Sequence, residues 1–136
     1  MKVYGRKHIF RYVPNFLDNR RLPKERIADQ IVIRLRGVSV PEEDAYQREA
    51  LNNVRTFAPD KAQEMNEARL HKLFNEKFDG VEGLEIDDLA GKEMDFDTFY
   101  AEAPTDIVNE VLRAIRSTEA LMAGEQKNFL PESDGV

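Results

Sequence analysis

Between residues 104 and 124 the apolar side chains Ile107, Val108, Val111, Leu112, Ile115, Leu121 and Met122, with Thr118 among them, recur at spacings of three and four. That period places them on one face of a helix, and so apolar a face is stable in water only when something covers it. Pro104 opens the segment and Gly124 closes it, the asymmetry expected of a helix. Any fold open to this chain must supply a surface for that stripe, from itself or from a partner.

A chain of 136 residues can bury one core without disulfides or metals. Its mean hydropathy of −0.59, with 41% apolar and 34% charged residues, describes a folded, water-soluble protein. No apolar run approaches the length of a membrane span. The opening residues carry charge with no apolar stretch behind them, so no signal peptide is expected, and there is no cysteine. These features fit a reducing, cytoplasmic setting.

The net charge of −6 conceals a split. Before Gly37 ten basic residues face Asp18, Glu25 and Asp29 alone, a balance of +7, so the remainder carries −13. A basic N-terminal third is joined to an acidic body, and the two either attract neighbouring copies or a charged partner, or neutralise each other internally. Nucleic acid is not expected as a partner: the basic residues are scattered, no aromatic platform accompanies them, and the acidic body repels phosphate.

Residues 7–13 and 30–36 alternate apolar and polar side chains and read as two strands, paired antiparallel. The connection between them, with Pro14, Asn15, Asp18, Asn19 and Pro23, is too long for a tight hairpin and reads as an ordered arm anchored by Phe16 and Leu17. Ser39, Pro41 and Glu42 announce a helix through a capping box. Ala50, Leu51, Val54, Phe57 and Ala58 follow at helical spacing until Pro59 ends that helix or bends it into a second over residues 60–78, which presents Ala62, Met65, Leu70, Leu73, Phe74 and Phe78. Asp79 and Gly80 close that helix, and residues 81–96 read as a loop or small hairpin. Asp95 or Asp97 caps a short helix carrying Phe96, Phe99 and Tyr100, and the long amphipathic helix follows.

The expected class is thus α+β and predominantly α-helical, an N-terminal antiparallel strand pair followed by three main helices with a short loop or hairpin insertion. Residues 1–124 are expected to form one domain, a basic β region over 1–37 and an acidic helical body over 38–124. Residues 125–136 read as a flexible tail.

No side-chain set suggests chemistry. The acidic stretch from Asp79 fails as a calcium loop, because its third, fifth, sixth and twelfth positions are Val81, Gly83, Leu84 and Ala90. His8 and His71 lie on different elements with no cysteine to complete a ligand set, so neither a metal nor another cofactor is expected. Nucleophile-elbow and phosphate-loop motifs are absent from the sequence, and the expectation is a protein that is not an enzyme.

The segment Phe10-Arg11-Tyr12-Val13-Pro14-Asn15-Phe16-Leu17-Asp18-Asn19-Arg20-Arg21-Leu22-Pro23, the strand over residues 30–35 and the Ser39 helix resemble the start of tail assembly chaperones of long, flexible-tailed bacteriophages. Gly91-Lys92-Glu93-Met94, then Phe99-Tyr100-Ala101-Glu102-Ala103-Pro104, the helix over residues 107–121 and Gly124-Glu125-Gln126-Lys127-Asn128 are similar to that family's closing pattern. The strongly basic first third departs from it. The resemblance implies a mostly helical, self-associating, non-enzymatic factor in the host bacterial cytoplasm. Such a factor coats the tape measure protein, helps recruit major tail tube subunits and is absent from the finished particle. The alternative is a structural head-tail connector or tail completion protein retained in the virion; a DNA-binding regulator ranks last.

A tape measure protein is a long helical rod, and covering its apolar stripes calls for amphipathic helices in many copies. Most stripes of this chain are still assigned to its own core. Candidate partner-binding residues are therefore those stranded in weakly ordered segments, Phe16, Leu17, Phe129 and Leu130, together with Tyr12, Arg20, Lys127 and Asn128 from the matched patterns.

Overall fold

The computed structural model describes residues 1, 3, 5, 7–87, 89–90 and 94–125. The fold is α+β and predominantly helical, with the expected N-terminal strand pair. Strand β1 (Phe10–Tyr12) lies antiparallel to β2 (Val32–Leu35), with Phe10 opposite Leu35 and Tyr12 opposite Ile33. Both strands are shorter than the alternation predicted. Between them the arm forms two short 3-10 segments, Phe16–Arg21 and Lys24–Asp29.

Helix α1 (Val40–Thr56) begins as the sequence prescribes. Ser39 Oγ accepts the Glu42 N–H, and the Glu42 carboxylate accepts the Ser39 N–H at 2.9 Å. The chain then breaks at Phe57 and Ala58, and Pro59 opens α2 (Pro59–Lys77), where its missing N–H costs nothing. The two helices form a hairpin in which α1 packs along α2 and on no other element to a similar extent. Across their seam Asn53 Nδ2 donates to Asn66 Oδ1 at 2.9 Å, and Asn66 Nδ2 donates to the Ala50 carbonyl at 3.2 Å.

A third strand, β3 (Phe78–Glu82), follows α2 directly and completes the order β1-β2-β3, correcting the expectation of a helix through Phe78 and then a loop. Ile33 faces Val81 but Leu35 faces Phe78, so β3 carries one extra residue at a bulge near Asp79 and Gly80. Gly80 supplies the φ of +121° that this bulge requires. The bulge turns Phe78 and Val81 to the same buried side despite their odd spacing, which reads in sequence as helical or irregular. The small hairpin expected next is β4 (Glu85–Ile86) with β5 (Leu89–Ala90).

Asp95 is the cap of α3 (Phe96–Glu102), its carboxylate accepting the Thr98 N–H at 2.8 Å. Asp97 instead meets His71 Nε2 at 2.6 Å. The final amphipathic segment is not one helix. It divides into α4 (Thr105–Ile115) and α5 (Thr118–Ala123), because the Ser117 hydroxyl accepts the Ala120 N–H and starts a new helix. The division leaves the stripe inward: Ile107, Val108, Val111, Ile115 and Leu121 are all buried. They join Phe10, Ile33, Leu35, Phe74, Phe78, Val81, Phe96 and Phe99 in one core shared by the sheet and the helices. The feature that most demanded cover is therefore covered by the chain itself. Leu112 is half-buried against this core, while Met122 and Thr118 stay exposed.

The charge split is met in part internally. Arg11 and Arg34 both reach Glu82, at 3.0 and 2.9 Å, and Arg36 Nη2 donates to the Glu76 carbonyl at 2.7 Å. No helix of the described residues is long and apolar enough to cross a membrane.

Candidate protein-binding surfaces

The arm is held at its base by a polar network. Tyr12 Oη and the Asn15 N–H both donate to Glu110 Oε2 at 2.7 Å, and Arg20 Nε donates to the Val13 carbonyl at 2.7 Å. Arg20 Nη2 stands 3.9 Å from the same Glu110 oxygen, and its guanidinium lies over the Tyr12 ring. Burial and the Glu110 carboxylate push the Tyr12 phenol well above its ordinary pKa, against the opposing pull of Arg20. Tyr12 is only 3% exposed. Tyr12 and Arg20 are thus engaged in positioning the arm.

The arm's anchor is a residue the sequence reading did not single out. Buried Asn19 donates to the Pro14 and Ile31 carbonyls and accepts the Ile31 N–H, at 2.8 to 2.9 Å, while Gln30 Nε2 donates to the Asn19 carbonyl. Phe16 is half-buried and packs on the core. Leu17 does not anchor anything: it is 82% exposed and, with Asp18, adopts a left-handed backbone at φ of 50° and 58°. Such conformations cost a non-glycine residue about 1–2 kcal/mol. Phe16 and Leu17 form a ridge between two open clefts, one of about 700 Å³ toward Ile31 and Leu84 and one of about 340 Å³ toward Asp106 and Arg113.

The matching tail residues Lys127, Asn128, Phe129 and Leu130 lie outside the described residues. Glu125, the expected start of the tail, is placed beside β1, pairing with Tyr12 and accepting the Arg11 N–H at 3.3 Å.

A second surface lies on the α1–α2 hairpin, where Leu51 is 50%, Val54 62% and Phe57 39% exposed. The sequence reading placed these residues on a buried helix face. Instead all three are exposed, and Val54 joins Tyr46, Pro59, Ala62, Asn66 and Leu70 in lining an apolar groove of about 400 Å³ between the two helices. A signal for this was present. Positions that meet across the hairpin, Ala50, Asn53 and Asn66, are small or polar, so there the seam gives the larger apolar side chains of α1 nowhere to go.

Among the described residues no group of three or more histidines and carboxylates could hold a metal ion. His71 pairs with Asp97 and packs on Phe96 and Tyr100, with ring centroids 5.0 Å away in both cases. The perturbed carboxyls Glu42 and Asp95 sit at helix caps. These placements account for them as structural groups. Comparison with protein-family models, curated proteins and solved structures finds no match to this chain.

Proposed function

We propose that this protein is a non-enzymatic assembly factor, a tail assembly chaperone of long-tailed bacteriophages. It covers apolar helical stripes of the tape measure protein in the host bacterial cytoplasm and helps bring tail tube subunits to it. The observation that supports this reading best is that Leu51, Val54 and Phe57 on the hairpin are exposed, with Val54 at an apolar groove. A monomer gains nothing by leaving such side chains in water, and apolar surface exposed at a groove marks a contact site for another protein.

One groove binds one short stretch of helix weakly. Many copies side by side on a rod, touching one another, raise the local concentration of each next contact, and avidity then exceeds single-site affinity by about 10²–10⁴. The weak individual contact keeps the coat displaceable when tube subunits arrive.

Co-expression with the tape measure protein encoded by the same genome tests the reading. The expected result is that the tape measure protein stays soluble and copurifies with several copies of this chain. An insoluble tape measure protein at every expression ratio would overturn it. Mass spectrometry of purified virions separates the role from that of a connector or completion protein: the chaperone is absent there, and a stoichiometric presence favours the structural component.

A further inference from the structure

The strand order β1-β2-β3 leaves one side of β1 turned away from β2, and the chain's own exit from α5 comes to that side. The Val13 N–H donates to the Gly124 carbonyl at 2.7 Å, and Tyr12 and Glu125 pair as antiparallel partners. The approach is close: a Cβ at Gly124 would stand 2.3 Å from Cδ1 and Cε1 of the Tyr12 ring, so only glycine fits there. The Arg11 N–H donates to Glu125 Oε1 at 3.3 Å, in the place that the carbonyl of residue 126 takes in a regular ladder, and Glu125 Oε2 stands 3.8 Å from His8 Nε2. The Glu125 side chain thus lies along the edge toward His8, the direction in which an antiparallel strand leaving Tyr12 runs. Because Arg11 and Val13 turn their N–H groups to this side, Ile9 does so too at the period of two. The turn in which the His8 N–H donates to the Gly5 carbonyl ends the edge.

We propose that residues 126–129 join the outer edge of β1 as a fourth strand of the same chain, with Lys127 opposite Phe10, Asn128 opposite Ile9 and Phe129 opposite His8. The Val13–Gly124 bond makes Tyr12 and Glu125 a pair that exchanges no backbone bonds, so two positions alternate beyond it: Asn128 exchanges both N–H···O bonds with Ile9, while Lys127 turns its N–H away. Lys127 and Phe129 fall on the side of the sheet on which Phe10 and Tyr12 are buried. There Phe129 meets the His8 ring, itself set edge-on to Phe10 with centroids 4.5 Å apart. The sequence suits a strand of this length, since residues 126–130 contain neither glycine nor proline and Pro131 follows. The occupant is the chain's own segment because residue 126 is tethered at Glu125, beside Arg11. The tether gives it an effective concentration of millimolar order, which a free partner strand does not match. So placed, the segment shields an edge that would otherwise template pairing between copies, and Lys127, Asn128 and Phe129 serve the fold whichever partner the chain has.

Nuclear magnetic resonance of the full chain tests this. Opposed residues that exchange no backbone bonds bring their α-protons close, so a cross-peak between the α-protons of Phe10 and Lys127 is expected. In an equal mixture of isotope-labelled and unlabelled chains, the filtered spectrum that reports only contacts between chains should lack that peak. Amide exchange at Ile9 is expected to quicken about tenfold or more in Asn128→Pro, which deletes a ladder donor, and to change by less than about twofold in Lys127→Pro, whose lost N–H points away. The Val13 amide, bonded to Gly124, keeps its rate in both variants and shows that the fold persists. Absence of the Phe10–Lys127 peak, its appearance in the between-chain spectrum, or an Ile9 amide that exchanges alike in wild type and Asn128→Pro overturns the proposal. Equal acceleration by the two prolines overturns the register.

Discussion

Tyr12 and Glu110 are 98 residues apart in sequence, yet the phenol of one donates to the carboxylate of the other at 2.7 Å. That bond ties the edge strand of the sheet to α4, and the same oxygen accepts the Asn15 N–H where the arm departs. Glu110→Ala therefore removes the acceptor of several donors and is expected to cost about 2–3 kcal/mol in urea unfolding, against about 1 kcal/mol for Tyr12→Phe, which deletes one bond. Equal losses for the two variants would show that the carboxylate does not organise the network.

Glu42 couples both ends of the hairpin. Its partial burial pushes its carboxyl pKa up, but the Lys77 ammonium at 2.6 Å and the bonds from Ser39 outweigh this and hold it at about 2. A carboxyl whose pKa is depressed by folding stabilises the fold above its unfolded value, near 4.5, and that contribution fades as pH falls from there toward 2. Chemical denaturation should show the wild type losing stability through this window, with a shallower loss in Glu42→Gln. Asp95, held low by the Thr98 N–H, acts in the same direction.

Leu17 separates stability from binding. Its left-handed backbone and exposed side chain mean that Leu17→Asn, which tolerates that conformation, should stabilise the fold by about 0.5–1 kcal/mol in thermal unfolding. If the ridge contacts a partner, the same variant weakens co-purification with it, the trade expected of a strained functional site. A variant that is less stable than wild type would refute the strain argument.

Gly83 has no room for a side chain. At φ of +77° a Cβ would stand 2.2 Å from the Gln30 carbonyl oxygen, a backbone atom at the end of the arm. Gly83→Ala is expected to cost about 2–3 kcal/mol, combining backbone strain with displacement of the chain at Asp29 and Gln30 from the end of β3. At Gly80 the nearest obstacle is the movable guanidinium of Arg34, so Gly80→Ala should cost less, and differential scanning calorimetry of the pair decides the order.

The Asn53–Asn66 bond predicts an asymmetry. Asn53→Ala strands its partner in a half-buried site and should cost about 1–2 kcal/mol, whereas Asn53→Leu with Asn66→Leu should be nearly neutral in stability while loosening the hairpin's register. Denaturant titration of the single and double variants supplies the comparison.

Local signals in the sequence sufficed for whatever a few neighbouring residues decide. The capping box at Ser39, the break at Pro59, the cap at Asp95, the pairing of the first two strands and the inward stripe of α4 are each set by spacing and by the chemistry of adjacent backbone groups. Tertiary structure decided the rest. Strand β3 exists because β2 offers it an edge and a glycine bulge brings Phe78 and Val81 to one side, which no period reveals. Tyr12, Arg20 and Asn19 became the arm's fastening only once Glu110 and Ile31 arrived from distant sequence. Leu51 and Val54 became surface because the body ends short of the hairpin's tip. Burial is a property of what else is nearby, and a helical period reports only which side chains share a face, not whether that face meets a core, a partner or water.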